Sequence, residues 1–333
     1  MNVRRRLISA TAVTAATALG LGALSACSSD SAATGNTDKF DVVASFYPMA
    51  FLAQQIGGDH ANVTSLTEPG QEPHDLEIST KQRAQLEEAD AALFLKGLQP
   101  AVDEAVAQTG IKTKIDAATL TTLEDHGNTE HSHEGEEAHA EESHPEESHS
   151  EEGHSEEEEH ARDPHVWLDP VKYAEVAEGV GKAFEKADPD HAVDYKKNTA
   201  ALVKKLNDLN GEFENGLKNT KTKVFFTNHA AFGYLAERYG LTQEAISGLD
   251  PESEPSAARV RELQQEAKAD GVTTVFYETL VSDKTAKTLA RDAKLKTDVL
   301  DPLEGITDKS RGDDYFQVME ANLKALRTAL GAK

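Results

Sequence analysis

Short apolar runs alternate with helical patterns along this chain, and this alternation constrains the fold more than any other feature. "FDVVASF" at 40–46 has the composition of a buried strand, and the segment after it carries apolar residues at helical spacing. A second strand is predicted at 62–67, a helix capped by Ser79 follows, and a third strand is predicted at 91–97. The alternation resumes at 223–300. We therefore predict parallel α/β architecture in two lobes.

A long amphipathic segment lies between the two halves. Within residues 190–218, apolar side chains recur at helical spacing: Leu202, Leu206, Leu209, Phe213 and Leu217. A continuous helix of this length extends about 43 Å, which is enough to connect two lobes along their backs. The alternative is a surface helix that belongs to one lobe, and Gly211 weakens the prediction of a continuous helix.

The N-terminal residues have the pattern of a secretory signal. An arginine triplet precedes an apolar run, and "LSAC" at 24–27 resembles a bacterial lipobox. This pattern predicts a signal peptide at 1–26, lipid on the thiol of Cys27 and a flexible tether at 27–38. The alternative is an ordinary signal peptide with an incidental cysteine. Since Cys27 is the only cysteine, no disulfide can form within the chain. No later apolar run reaches the roughly 18 residues of a membrane span.

The charge is concentrated in one acidic tract. The net charge of −25 argues against nucleic acid as a partner, because phosphate recognition needs a basic surface. Residues 124–159 hold 16 of the 59 acidic residues and no lysine or arginine. The tract at 124–163 also carries eight of the 13 histidines: His126, His131, His133, His139, His144, His149, His154 and His160. We expect a solvated segment that binds several metal ions weakly, or else an acidic spacer that keeps the surface soluble.

Three histidines outside the tract lie where loops meet predicted strands or helices. His74, His165 and His229 stand in "EPHDLEIST", "RDPHVWLDP" and "FFTNHAAFGY". Ligands of open α/β sheets gather at the carboxyl ends of strands. Each histidine taken alone has the simpler reading of a hydrogen-bonded structural residue. Together with Asp301 in "VLDPLEG", however, the three form the donor set of a closed tetrahedral zinc site.

The carboxylates near these histidines leave alternatives open. Asp301 precedes Pro302 and could be a turn residue. Glu278 follows a predicted strand, so it is either a ligand itself or an acceptor that orients a ligand histidine. Glu72 is a further candidate ligand, two residues before His74.

Several motifs together resemble one family. The lipobox, "PHDLEIST", "DPHVWLDP", "FFTNHAAFGYLAERYGL" and "VLDPLEG" are similar to the metal-binding receptors of bacterial ABC importers, in the ZnuA-like zinc branch of the zinc-manganese family. The resemblance implies two Rossmann-like α/β lobes joined by a rigid helix. It places Zn²⁺ in the cleft between them, held by His74, His165 and His229. In that family the fourth position is Asp, water or a loop Glu.

The resemblance also implies partners and an arrangement of the chain. The partners are an ABC permease and its ATPase, and the expected receptor is a monomer anchored by lipid to the outer face of the bacterial cytoplasmic membrane. The predicted N-terminal lobe covers 39–187, including the His/Glu-rich loop 124–163. The linker helix covers 188–219, and the C-terminal lobe covers 220–333.

Three alternative functions differ in their chemistry. A manganese receptor of the same family often has Glu at the position of His229, so His229 favours zinc. A secreted zinc hydrolase would use three histidines and a metal-bound water, but the chain lacks H-E-x-x-H. A surface adhesin or zinc buffer would use the histidine tract alone.

Overall fold

The computed structural model describes residues 39–126 and 162–333, and the first half of the chain forms a parallel sheet flanked by helices. Its strands are β1 (Phe40–Ala44), β2 (Ala61–Ser65), β3 (Ala91–Phe94) and β4 (Thr113–Asp116). They pair in the order β2-β1-β3-β4. Its helices are α1 (Tyr47–Gly57), α2 (Thr80–Glu88), α3 (Pro100–Gln108) and α4 (Pro170–Ala187). Ser79 caps α2 as predicted, in a reciprocal capping box with Gln82.

The apolar run of β1 is explained by burial on both faces of the sheet. Val42 and Ala44 pack into the main hydrophobic cluster, which includes α1 and α4. Val43 points to the other face, where it packs with Leu86 of α2 and Val102 of α3. Parallel strands that are covered on both sides need apolar residues at successive positions, which the sequence supplies.

The second half repeats the topology of the first. After α4, one long helix, α5 (Ala192–Leu217), leads to strands β5 (Val224–Thr227), β6 (Thr242–Ala245), β7 (Thr274–Tyr277) and β8 (Lys296–Val299). All are parallel and pair in the order β6-β5-β7-β8. The helices are α6 (Gly233–Arg238), α7 (Ala257–Ala269), α8 (Lys284–Ala293) and α9 (Tyr315–Ala329). The prediction of two parallel α/β lobes is confirmed.

Helix α5 joins the two lobes. It contacts α1 and α4 of the first lobe and α9 of the second. Its 26 residues extend about 39 Å and continue through Gly211 without a break. The apolar residues that predicted this helix are all buried, at Leu202, Leu206, Leu209, Phe213 and Leu217. The sequence prediction of a long linker helix is confirmed.

An aromatic seam fixes the lobes against each other beside α5. Phe51 of α1 stacks on Tyr315 of α9 with ring centroids 5.4 Å apart, and Tyr173 of α4 lies 4.8 Å from Tyr315. The Tyr315 hydroxyl donates to the carbonyl of Trp167 at 2.7 Å. These rings belong to a single hydrophobic cluster that runs through both lobes. The loops on either side of the cleft are therefore held by a shared core.

The chain leaves and re-enters the first lobe at one place. The backbone N–H of Asp163 donates to the carbonyl of Glu124 at 2.9 Å, so the residues on either side of 127–161 are paired. The predicted signal peptide, Cys27, the tether and all tract histidines except His126 lie outside the described residues. Within the described ranges, none of the helices has the length and apolar character required to span a bilayer.

Candidate metal centre

Four side chains of the candidate centre come from loops of both lobes. His74 lies between β2 and α2, and His165 stands just before the short 3-10 turn Val166–Leu168 that leads into α4. His229 follows the end of β5, and Glu304 follows β8. Three of these four residues are therefore at the carboxyl ends of parallel strands, where open α/β sheets bind their ligands.

One carboxylate oxygen lies between the three imidazoles. Oε1 of Glu304 is 3.1 Å from Nε2 of His74, 3.2 Å from Nε2 of His165 and 3.4 Å from Nε2 of His229. The ligand atoms of the four residues all lie within 4.8 Å of one another. In a tetrahedral zinc site with metal–donor distances near 2.0–2.1 Å, neighbouring donors are about 3.3 Å apart. Small side-chain rotations would therefore bring all four donors onto one ion.

The centre is buried, and two of its polar atoms have no hydrogen-bond partner. His165, His229 and Glu304 are almost fully inaccessible, and the side chain of His74 is 12% exposed. Among the described residues, Nε2 of His229 and Oε2 of Glu304 have no hydrogen-bond partner. Because buried polar atoms are rarely left unsatisfied, a cation that binds both atoms fits this donor set.

Two further carboxylates hold the imidazoles in place. Nδ1 of His165 donates to Oδ1 of Asp163 at 2.7 Å, and Nδ1 of His229 donates to Oε1 of Glu278 at 2.8 Å. In both cases Nε2 is left facing the centre. Carboxylates that accept from one ring nitrogen fix the tautomer and raise the basicity of the other nitrogen, as in many histidine metal sites.

The charges of the centre shift the pKa values of its histidines and of Glu304. Burial alone would lower the pKa of His229, but Glu278 and Glu304 outweigh it and raise the pKa well above its ordinary value. The pKa of His165 is raised by Asp163 and Glu304 in the same way, against the effect of burial. Burial would raise the pKa of Glu304, yet the imidazole of His229 and its neighbours hold it well below the usual range. Because histidine must be deprotonated to bind a metal, a divalent cation at this centre competes with protons for the imidazoles.

Comparison with known proteins places the chain in a family. A family model described as ZnuA, the periplasmic component A of a zinc-uptake complex, matches residues 42–329. The chain belongs to the ZnuA family.

Three relatives show how far this likeness extends. The chain is 38% identical over 314 residues to the zinc-binding lipoprotein AdcA of Streptococcus pneumoniae, covering 91% of this chain and 58% of AdcA. It is 36% identical over 330 residues to the high-affinity zinc uptake system protein ZnuA of Bacillus subtilis, covering 94% and 98% of the two chains. The crystal structure of the Zn(II)-bound ZnuA-like domain of the pneumococcal AdcA matches with a TM-score of 0.69 and 34% identity, covering 88% of this chain and 99% of that domain. The chain thus spans little more than half the length of AdcA.

In this ZnuA family member, the carboxylate brought against the histidines is Glu304 and not Asp301. Asp301 is buried, but its Oδ1 accepts from the backbone N–H of Leu303 at 2.9 Å and its Oδ2 accepts from the hydroxyl of Thr279 at 3.1 Å. Asn322 bonds to both the N–H and the carbonyl of Asp301. The structure therefore gives Asp301 the role of a turn residue, which was the alternative reading of the sequence.

The turn that Asp301 organises delivers Glu304 to the centre. Leu303 adopts a left-handed conformation with φ of 60°, one of two non-glycine residues with positive φ among those described. A left-handed conformation costs a leucine about 1–2 kcal/mol. It is maintained because the Leu303 side chain is fully buried and its N–H is bonded to Asp301.

Two other predicted carboxylates occupy distinct positions. Glu278 contacts His229 and also accepts from the amide of Asn228 at 3.0 Å, which is the orienting position considered from the sequence. Oε2 of Glu72 accepts from the N–H of Asp75 at 3.3 Å, and Glu72 is not part of the four-residue cluster. Burial raises the pKa of Glu72, partly offset by His74.

Sequence reasoning did not single out Glu304 or Asp163. Both residues lie inside quoted motifs, Glu304 in "VLDPLEG" and Asp163 in "RDPHVWLDP". The sequence favours Asp301 because it is the carboxylate that follows the predicted strand directly. No signal in the sequence separates Glu304 from Asp301, because the left-handed conformation of Leu303 that precedes Glu304 is visible only in the fold.

Proposed function

We propose that the chain is an extracytoplasmic receptor that captures Zn²⁺ in its cleft and delivers it to an ABC permease and its ATPase. The observation that supports this most directly is the buried set of three imidazole nitrogens and one carboxylate oxygen, all within 4.8 Å. We propose His74, His165, His229 and Glu304 as the ligands, with Asp163 and Glu278 as the residues that orient two of the histidines. Zinc is the cargo of this site.

The donor set favours zinc over manganese. Three imidazoles and one carboxylate suit a four-coordinate zinc ion, whereas manganese prefers more oxygen donors and higher coordination numbers. The relatives named above are zinc-binding or zinc-uptake proteins, which supports the same choice.

The burial of the four donor side chains favours a zinc receptor over a zinc hydrolase. A catalytic zinc needs an open coordination position for water and substrate. Here His165, His229 and Glu304 are 0–2% exposed, and the four protein donors are enough to fill the coordination positions of a tetrahedral ion. We therefore propose capture and release of zinc without catalysis.

The location and partners follow from the sequence and the relatives. We propose that Cys27 carries lipid, as the lipobox predicts, and that the monomeric receptor works at the outer face of the cytoplasmic membrane. AdcA of S. pneumoniae is itself named a lipoprotein, which supports an anchored form.

Zinc uptake and zinc binding test the proposal together. Deleting this chain from its bacterium should abolish growth in medium depleted of zinc, and added zinc should restore growth. Complementation with His229→Ala should fail, whereas His191→Ala should succeed, because His191 bonds to Asp188 away from the centre. Full growth with His229→Ala, or rescue by manganese instead of zinc, would contradict the proposal.

A further inference from the structure

Six lysines gather at the end of the second lobe that lies opposite the metal centre. They occupy the segments that lead from α5 into β5 and from α8 into β8, and the last turn of α7: Lys218, Lys221, Lys223, Lys268, Lys294 and Lys296. All six are exposed, and we call this set the lysine face. Because β5 to β8 are parallel, the lysine face lies at their amino ends, whereas His229 and Glu304 lie at their carboxyl ends.

Backbone hydrogen bonds join these segments into one surface. The N–H of Lys221 donates to the carbonyl of Leu330 at 2.8 Å, and the N–H of Lys296 donates to the carbonyl of Thr273 at 2.9 Å. The hydroxyl of Thr273 in turn donates to the carbonyl of Ala329 at 3.0 Å. The backbone of the fold therefore places the lysines beside one another.

The lysine face carries charge that the fold does not neutralise. None of its six lysines forms an ion pair with an acidic side chain of residues 39–126 or 162–333. Lys204 and Lys287, by contrast, both pair with a carboxylate on their own helix. The exposed acidic residues of the same segments are Asp270 and Asp292, and Asp292 pairs with Arg291 at 3.0 Å. The face is thus positive on a chain whose net charge is −25.

The architecture alone does not require these lysines. Cations near the C-terminus of a helix can be explained by the helix dipole. The first lobe repeats the topology, yet its helices α1, α2 and α3 have no basic residue in their last turns. The amino ends of its strands instead carry the exposed Asp59 and Asp90. A positive surface is therefore a property of the second lobe's sequence and not of the shared fold.

Lys294 stands where the backbone favours a different residue. It ends α8 in the left-handed conformation, with φ of 59°. Glycine is the usual residue at this position, because a side chain makes the conformation unfavourable. A lysine that is exposed and unpaired among the described residues offsets none of this strain through contacts in the fold. Binding of a partner explains its presence more directly than folding does.

The place where the described chain begins favours a membrane as this partner. Lys39 precedes β1, and Phe40 contacts Tyr195 in the first turn of α5, with ring centroids 6.5 Å apart. The lysine face begins where α5 ends, about 39 Å from that first turn. Residues 27–38 have a contour length of about 40 Å. A chain attached to lipid at Cys27 can therefore bring its lysine face to the same membrane.

We propose that the lysine face binds the anionic headgroups of a phospholipid membrane. Six cations spread over the ends of several elements suit an extended charged surface better than a single small anion. Each lysine near an anionic bilayer adds attraction that decays within a Debye length, about 8 Å at physiological salt. The carboxyl ends of the four-residue strands are about 13 Å further away, so the acidic surroundings of the metal centre are largely screened from the bilayer.

This contact has a consequence for zinc capture. With the lysine face on the membrane, the carboxyl ends of β5 to β8 point away from the lipid, and the cleft stays open to the medium. This consequence rests on the proposed function and on lipid at Cys27. The affinity of the lysine face for anionic lipid rests on neither.

Vesicle binding by a chain without lipid tests the proposal. Residues 27–333 with Cys27→Ser contain every described helix and strand and have no thiol to acylate. This chain should co-sediment with phosphatidylcholine vesicles that contain about 30% phosphatidylglycerol, and not with pure phosphatidylcholine. Lys221→Glu, Lys223→Glu and Lys296→Glu together should lower the bound fraction at least about tenfold, as should an increase in NaCl from about 50 to about 300 mM.

A matched triple variant controls for total charge. Lys81, Lys96 and Lys309 are exposed and follow the carboxyl ends of β2, β3 and β8. Lys81→Glu, Lys96→Glu and Lys309→Glu together should change vesicle binding by no more than about twofold, because these side chains lie more than a Debye length from the membrane. If the glutamate variant of the lysine face does not fold, glutamine at the same three positions should still weaken binding, and unchanged zinc affinity confirms that its fold is intact.

Three results would overturn the proposal. The first is equal binding to both kinds of vesicle, and the second is an equal loss in the two triple variants. The third is binding of inorganic polyphosphate that the lysine-face variant abolishes while anionic vesicles stay unbound, since the partner would then be a soluble polyanion. Chelator competition measures zinc capture separately, so a failure with vesicles leaves the proposed receptor function standing.

Discussion

Replacing Glu304 by glutamine tests whether this residue or Asp301 completes the zinc site. Glu304→Gln keeps the size of the side chain and one oxygen donor, and it removes the negative charge. Oε1 of Glu304 is within 3.4 Å of all three imidazole Nε2 atoms, so the substitution acts at the centre of the cluster. Asp301→Asn is the matched change, since it removes one buried charge on the same loop.

The expected loss for Glu304→Gln is large. At an effective dielectric constant near 20, a divalent ion and the unit negative charge of a ligating carboxylate, about 3 Å apart, attract by roughly 11 kcal/mol. About half of this is already realised without metal, because Glu304 then pairs with protonated imidazole. The amide oxygen of glutamine offsets part of the remainder, so we expect a net loss of about 3–4 kcal/mol, which corresponds to a few hundredfold in affinity. Asp301→Asn should instead lower the free energy of unfolding by about 1–2 kcal/mol through its weakened hydrogen bonds, with at most a tenfold change in affinity.

Competition against a chelator of known affinity measures the loss of zinc affinity. Urea denaturation of the metal-free chain measures the change in the free energy of unfolding. Both variants should be measured in a full-length chain that also carries His→Gln at positions 131, 133, 139, 144, 149, 154 and 160. Weak zinc binding by the histidine tract then does not obscure the result. If Asp301→Asn loses more zinc affinity than Glu304→Gln, the structural assignment of the fourth ligand is wrong.

Three further predictions concern the surroundings of the centre. Glu278→Gln should weaken zinc binding about 10- to 100-fold in chelator competition, because it frees the ring of His229; unchanged affinity would contradict an orienting role. The pKa of His229 is raised, so zinc must displace protons from the imidazoles at neutral pH. The affinity for zinc should therefore fall as the pH is lowered from about 8 to 6. Calorimetry in buffers of different ionisation enthalpy should detect proton release at about pH 7. Binding without proton release would contradict the raised pKa. Trp167 is the only tryptophan, and its ring centroid lies 5.1 Å from that of His165. Zinc should increase the fluorescence of Trp167, because zinc binding removes the proton of the His165 imidazolium, which quenches the indole. A titration with no fluorescence change at saturation would argue against an ion on His165.

The fold was predictable from the sequence because its periodic signals are strong. Strands such as β1 carry apolar residues on both faces, and the buried residues of α5 recur at regular helical spacing. Both elements can therefore be predicted from the local sequence, without knowledge of distant contacts. The three histidines could be named because each stands next to the end of a predicted element. For the strands, for α5 and for the three histidines, the local sequence pattern is enough to predict the position in the fold.

The fourth member of the cluster could not be chosen from the sequence because it depends on backbone conformation. Asp301 and Glu304 are three residues apart, and both follow β8. The left-handed turn at Leu303 and the hydrogen bonds of Asn322 decide which carboxylate faces the cleft. Asp163 escaped notice for a similar reason, since only the folded chain shows that its two oxygens reach two different histidines.

The hydrogen bond between Asp163 and Glu124 has a practical consequence for protein engineering. Because it closes the chain on both sides of 127–161, a segment of different length or composition can be exchanged there while its two ends stay fixed. His165 lies only two residues beyond this junction. A circularly permuted fluorescent protein grafted between His126 and Arg162 would therefore lie close to His165, one of the proposed zinc ligands. The natural position of the tract is thus an insertion point for a genetically encoded zinc sensor.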